Sequence, residues 1–140
     1  MVKGFGGSTL RIDLSRGMIA RAPLDPAFAR SWLGGRGFVA KVIYDEVPRG
    51  ADPLGPDNRL VVTPGVFSGH FAPSGSKCCF GAVSPLSNGH GDSTVGGHFG
   101  PEAHARGDVH ERQRAVVVAR HVPHAVNQIQ PVFVGRRHTG

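Results

Sequence analysis

The first apolar pattern of the chain is a strict alternation near its start. In the segment STLRIDL (8–14), leucine and isoleucine alternate with arginine and aspartate, which is the pattern of a strand with one buried face. Arg16-Gly17 then supplies a turn into a second short run, Met18 to Ala22. The sequence therefore predicts a β-hairpin at this end of the chain.

A helical spacing of apolar residues replaces the alternation in DPAFARSWLGG (25–35). Asp25 suits the N-cap because its carboxylate can accept bonds from the first backbone amides, and Pro26 suits the first helical position. Gly34-Gly35 is expected to end the helix. The residues predicted to form its inward stripe are Phe28, Trp32 and Leu33.

A second helix is predicted over RGFVAKVIYDEV (36–47), where Pro48 stops it. Its inward residues are expected to be Phe38, Val42 and Ile43. Two buried strands follow, at 59–65 and at 76–84. Cys78 and Cys79, the two cysteines of the chain, are neighbours on the second of these strands. Adjacent side chains on a strand point to opposite faces, so we interpret both as small core residues.

Glycine is concentrated in three segments that also carry polar or basic residues: 34–37 (GGRG), 73–77 (PSGSK) and 89–102 (GHGDSTVGGHFGPE). Such loops can bind phosphate through backbone N–H groups. None has the spacing of a P-loop or of a dinucleotide fingerprint. Each is therefore either a tight turn or an anion-binding loop, and a turn at Asn88-Gly89 with a helix start near Phe99 is compatible with both.

Composition limits the classes of function. The 140 residues suit a single domain, and no apolar run resembles a signal peptide or a membrane span, which predicts a cytoplasmic protein without a membrane partner. The net charge of +6 is uneven: residues 1–102 hold ten Lys/Arg and eight Asp/Glu, and residues 103–140 hold six Arg and two acids. Because no nucleic-acid-binding motif accompanies this basic end, a nucleic-acid partner is not expected.

Four motifs, in order, resemble the N-terminal domain of the aldehyde:ferredoxin oxidoreductase family. They are WLGGRGF (32–38), DPLGPDNRLVVTPGVFSG (52–69), APSGSKCCFGAVSPL (72–86) and GHGDSTVGGHFGPE (89–102), and the opening hairpin is similar as well. The resemblance covers residues 4–102. It implies an α+β domain of mainly two β-sheets and a few short helices.

The resemblance also implies a function. Enzymes of this family convert aldehydes to carboxylic acids with ferredoxin as electron acceptor, using tungsten (or molybdenum) held by two pterins, a magnesium ion that bridges them and a [4Fe–4S] cluster. Residue by residue, it implies that Lys77 meets a pterin phosphate, that Thr94 lies beside the magnesium where many members have Asn, and that Gly96 lets the backbone approach the cofactor. No catalytic residue is implied in this chain.

The resemblance stops at residue 102. An iron–sulfur cluster commonly needs four cysteines, and this chain has two. Residues 103–140 form a divergent tail rich in Arg and His, with strand-like runs at Ala115 to Ala119 and near Pro131 to Val134. One hypothesis is a shifted reading frame near residue 103, with a disordered tail and a fragment that is inactive alone. The alternative is a genuine short subunit, a non-catalytic module that binds a cofactor or a partner.

Overall fold

The computed structural model describes residues 5, 7–70 and 72–101 and the backbone of residues 115–120. In chain order the elements are β1 (Ser8–Asp13), β2 (Met18–Pro23), α1 (Pro26–Trp32), α2 (Arg36–Glu46), β3 (Arg59–Pro64), β4 (Cys78–Val83), β5 (His90–Val95) and β6 (Ala115–Arg120). The predicted strand-like run near 131–134 lies outside the described residues.

The α+β class is confirmed. The strands form two antiparallel groups, the β1–β2 hairpin and the β3–β4–β5 group. β6 lies between them, parallel to β1 and antiparallel to β3, so that the two groups join into one six-stranded sheet in the order β2-β1-β6-β3-β4-β5. The weak strand-like run predicted in the tail is thus a central strand, while the domain boundary at residue 102 stays a prediction.

Helix α1 begins as predicted. The Asp25 carboxylate accepts bonds from the backbone N–H groups of Ala27 at 2.9 Å and Phe28 at 3.3 Å, and Pro26 is the first helical residue. The helix ends earlier than predicted, at Trp32, because Leu33 takes a left-handed conformation (φ 56°) and its N–H bonds to the Ala29 carbonyl.

The predicted inward stripe of α1 is wrong in two of its three positions. Phe28 packs on the core, with its ring centroid 4.8 Å from that of Phe38. Trp32 and Leu33 are exposed by 39% and 64%. The left-handed turn at Leu33 takes the chain away from the helical path, so the stripe does not continue past Phe28 toward the core.

Helix α2 provides the main face of the core. It packs against β3, β4 and β5 and ends, as predicted, before Pro48. Its buried residues include the three predicted ones and Val39. The core cluster is formed by Ala29, Phe38, Val39, Val42, Ile43, Val61 and Cys79. At the C-terminal end of α2, Arg11 of β1 donates to both carboxylate oxygens of Glu46 at 2.8 and 2.6 Å, which ties the hairpin to the helix.

Candidate functional site

The three glycine-rich segments converge on one end of the sheet. Gly34, just before α2, forms a β-bridge with Gly65, just after β3. Gly65 donates its N–H to the Lys77 carbonyl at 2.8 Å, so Lys77, the last residue of the 73–77 segment, lies at the same end of the sheet. A Cβ atom on Gly100 would lie 2.8 Å from the Ser76 carbonyl oxygen, which shows how closely the third segment approaches the second. The fold therefore gathers loops that are distant in sequence.

Strand register places the residues expected to bind cofactor side by side. Thr94 of β5 lies opposite Cys79 of β4, and the last pair of the two strands is Cys78 with Val95. Lys77 and Gly96 are the next residues outward on the two strands. Because paired residues share a face and alternate residues return to it, Thr94 and Gly96 lie on the face that Cys79 presents to α2.

The surroundings of these residues fit a large anionic group. Lys77 and Thr94 are exposed, and neither side chain has a hydrogen-bond or ionic partner in the described part of the chain. A Cβ atom on Gly96 would meet nothing within 4 Å, so the space beside that backbone is open. An ammonium group, a hydroxyl group and an accessible backbone suit the phosphates and the metal ion that the resemblance implies.

An ion pair that sequence reasoning did not predict lies next to these residues. Arg36, the first residue of α2, donates from Nε to Asp92 Oδ2 of β5 at 2.5 Å. Asp92 lies opposite Gly81 in the ladder, two residues before Thr94 on the same face. The two partners are 56 positions apart. The glycine-rich context of both was the one available signal, and the register of β5 was needed to join them.

The two cysteines are buried, as predicted, and do not act together. Cys79 belongs to the core cluster under α2, whereas Cys78, on the opposite face, is fully buried. Burial, and then the neighbouring Cys79, raise the pKa of the Cys78 thiol from its ordinary value of 9.0 to about 11. Burial and the charge of Asp92 also raise the pKa of Cys79, against a smaller opposing effect of Arg36. Both thiols are therefore protonated at neutral pH, whereas metal ligation and nucleophilic attack need the thiolate.

The raised thiol pKa predicts a dependence of stability on alkaline pH. Between pH 9 and pH 11 the unfolded chain loses the Cys78 proton while the folded chain keeps it, so the free energy of unfolding falls across this window. The slope approaches about 1.4 kcal/mol per pH unit for this one group. Urea unfolding at pH 8, 9 and 10 measures it. Cys78→Ala should flatten the slope, and an equal slope in both proteins would contradict the assignment.

The three described histidines, His70, His90 and His98, are spread along the chain. His70 lies in a bend, His98 lies in a turn, and His90 is the first residue of β5; all three are exposed. Across the residues that the structure describes, no group of three or more His, Cys, Asp or Glu side chains is placed to hold a metal ion. In the same part of the chain, no helix has the length and apolar character that crossing a membrane requires.

Comparisons with known proteins address the family to which the chain belongs. Residues 9–109 match the family model for the aldehyde ferredoxin oxidoreductase N-terminal domain. The tungsten-containing aldehyde ferredoxin oxidoreductase of Thermococcus kodakarensis is 36% identical over 99 residues, and that of Pyrococcus horikoshii is 35% identical; each match covers 71% of this chain and 16% of the relative.

A solved structure with a similar fold is the active-site complex BamBC of benzoyl coenzyme A reductase in complex with 1,5-dienoyl-CoA. It has a TM-score of 0.77 and 30% sequence identity, over 86% of this chain and 18% of that chain. This chain thus spans about a sixth of the length of the relatives it matches. The family model alone matches well over half of the chain, in agreement with the four motifs and the fold. The chain belongs to the aldehyde ferredoxin oxidoreductase family, in which it corresponds to the N-terminal domain.

Proposed function

We propose that this domain is the pterin-binding platform of a cytoplasmic, tungsten-containing oxidoreductase that converts aldehydes to carboxylic acids and passes electrons to ferredoxin. The observation that carries the proposal is the placement of Lys77, Thr94 and Gly96 at one open end of the β4–β5 pair. The bound group, tungsten or molybdenum with two pterins, would supply the redox chemistry. The 36% identity to an enzyme named for aldehydes and tungsten supports this choice of substrate and metal.

Each of the three residues has a distinct role in this proposal. The Lys77 ammonium neutralises a pterin phosphate as a point charge without the two-pronged geometry of arginine. The Thr94 hydroxyl offers an oxygen ligand to the bridging magnesium ion, which prefers hard oxygen donors. Gly96 has no side chain, and a Cβ atom added there would meet nothing within 4 Å. The backbone at this position can therefore approach the cofactor closely.

The substrate pocket and the iron–sulfur cluster belong, in this proposal, to the other five-sixths of the family enzyme, as further domains or a partner subunit. Both cysteines of this chain are buried and protonated at neutral pH, so they are poor cluster ligands. We therefore expect no aldehyde oxidation by this chain alone. Activity after mixing with the missing catalytic part, and none before, is the expected result.

A stand-alone binding module is the second candidate. The observation that favours it is the position of β6, which comes from the divergent tail and pairs with both β1 and β3 in the middle of the sheet. A shifted reading frame near residue 103 predicts instead that another frame of the coding DNA resumes the family sequence. Sequencing through codon 103 and several hundred bases beyond separates the two: an intact frame with an authentic stop supports the short subunit.

Replacing Lys77 tests the platform directly. The chain is produced in cells supplied with tungstate, and bound tungsten and pterin are measured by elemental analysis and by fluorescence of the oxidised pterin. Lys77→Gln should lower pterin retention about tenfold, since hydrogen bonds to charged groups contribute roughly 1.5–3 kcal/mol. Arg49→Gln, which removes the same charge from an exposed position after α2, should retain it fully. Absence of pterin from the unmodified chain, or equal retention by Lys77→Gln, would contradict the proposal.

A further inference from the structure

The contacts of Arg36 leave most of its guanidinium available to a ligand. Its side chain is 70% exposed, whereas that of Asp92 is only 19% exposed. A guanidinium has five N–H donors in a rigid fork, and the one to Asp92 comes from Nε. No described residue accepts from either terminal nitrogen. The Asp92 carboxylate therefore holds the Nε side of the Arg36 guanidinium, and the N–H donors of the two terminal nitrogens are available to a ligand.

The Arg36–Asp92 ion pair lies beside the residues of the proposed platform, Lys77, Thr94 and Gly96. Asp92 precedes Thr94 by two residues on one face of β5, a separation of about 7 Å along the strand. A bridge between Gly34 and Gly65 holds the start of α2 beside the end of β3, and Gly65 is bonded in turn to Lys77. Arg36 and Lys77 are thus two cations at the same end of the sheet, on either side of the Thr94 position.

Stability does not explain the arrangement. An ion pair with one partner this exposed contributes at most about 1 kcal/mol and is weakened by salt. A carboxylate that holds Nε, however, fixes the plane of the guanidinium, and a fixed fork suits the two oxygens of a phosphate group better than a freely rotating one.

We infer that Arg36 is a further anion-binding residue of this site, that its ligand is a phosphate group of the cofactor, and that Asp92 is a positioning residue that acts through Arg36. The inference rests on the proposed function, because it assigns a phosphate of the same cofactor to a second cation. Arg36 meets the anion with its terminal N–H donors and Lys77 meets it from β4, whereas Asp92 contacts Arg36 and the Cys79 thiol rather than the anion.

Binding of inorganic pyrophosphate to the purified full chain, followed by calorimetry at low ionic strength, tests the inference without the loaded enzyme. Arg36→Gln should weaken binding about tenfold, because a charge-assisted contact is lost. Lys77→Gln should also weaken it, and Arg49→Gln is the charge-matched control. Thermal unfolding of each variant establishes that it is folded.

Asp92→Asn separates a positioning role from simple charge repulsion, because the two predict opposite changes in the affinity for pyrophosphate. If Asp92 positions Arg36, the substitution should weaken pyrophosphate binding about threefold even though it removes a negative charge, and in an Arg36→Gln background it should no longer weaken it. If Asp92 is only a repulsive charge, binding should tighten in both backgrounds, which would overturn the positioning role.

The remaining outcomes separate the inference from the proposed function. Weaker binding in Lys77→Gln with unchanged binding in Arg36→Gln would overturn the inference and leave the platform standing. No measurable binding by the unmodified chain, or equal losses in Arg49→Gln and Arg36→Gln, would count against both, since the anion would then have no defined site at this end of the sheet.

Discussion

Gly81→Ala is expected to destabilise the domain by about 2–3 kcal/mol, the cost typical of forcing an added methyl group into a packed core. Gly81 is a buried residue of β4, and a Cβ atom there would lie 2.1 Å from Val39 Cγ1. Val39 is fully buried, and a β-branched side chain in a helix has one strongly preferred rotamer. The conflict is therefore relieved only if α2 moves away from the sheet.

The effect of Gly81→Ala has a matched control and a rescue. Gly89→Ala, in the turn before β5, adds the same methyl group where the nearest atom lies 3.6 Å away, and it should change stability little. Val39→Ala removes the opposing methyl groups, so the double variant should be less destabilised than the sum of the two single ones. Urea unfolding measures the four variants beside the unmodified protein. Strict additivity would show that contact with Val39 is not the cause.

Asn58→Ala is expected to cost about 3 kcal/mol, because it leaves several buried backbone groups without partners. Asn58 is 6% exposed. Its amide nitrogen donates to the carbonyls of Pro53 at 2.6 Å and Val83 at 2.9 Å. Its oxygen accepts from the N–H groups of Arg59 at 2.8 Å and Val83 at 3.1 Å. The side chain thus continues the β3–β4 ladder past its last backbone pair.

Asn58→Asp separates hydrogen bonding from side-chain size. The carboxylate still accepts from the two N–H groups but faces the Pro53 and Val83 carbonyls without a donor, so a loss at least as large as that of alanine is expected at pH 7. Acidification should restore part of it, because a protonated carboxyl group donates again. Asp57→Ala, at the exposed neighbouring position, should change stability by less than about 0.5 kcal/mol. A pH-independent loss in Asn58→Asp would contradict the proposed bonds.

Local sequence signals were sufficient to predict the elements that are determined by residues close together in the chain. The alternation and turn of the hairpin, the Asp25-Pro26 start of α1, and the apolar face of α2 before Pro48 all depend on neighbours in sequence, and the structure confirms them. The four motifs likewise indicated the family, because they depend on order and spacing along the chain, and the family model confirms it. Whether Lys77, Thr94 and Gly96 bind a cofactor stays a prediction.

The sequence by itself therefore determined the helices, the hairpin, the buried strands and the family, whereas the tertiary structure decided the rest. β5 has the sequence HGDSTV without an apolar alternation, and it is a strand because β4 offers an edge to which its backbone bonds. β6 likewise takes its central place from pairing with β1 and β3, and Arg36 meets Asp92 only once β5 is in register. In each case the determining interaction is a contact distant in sequence, which local propensity and periodicity do not encode.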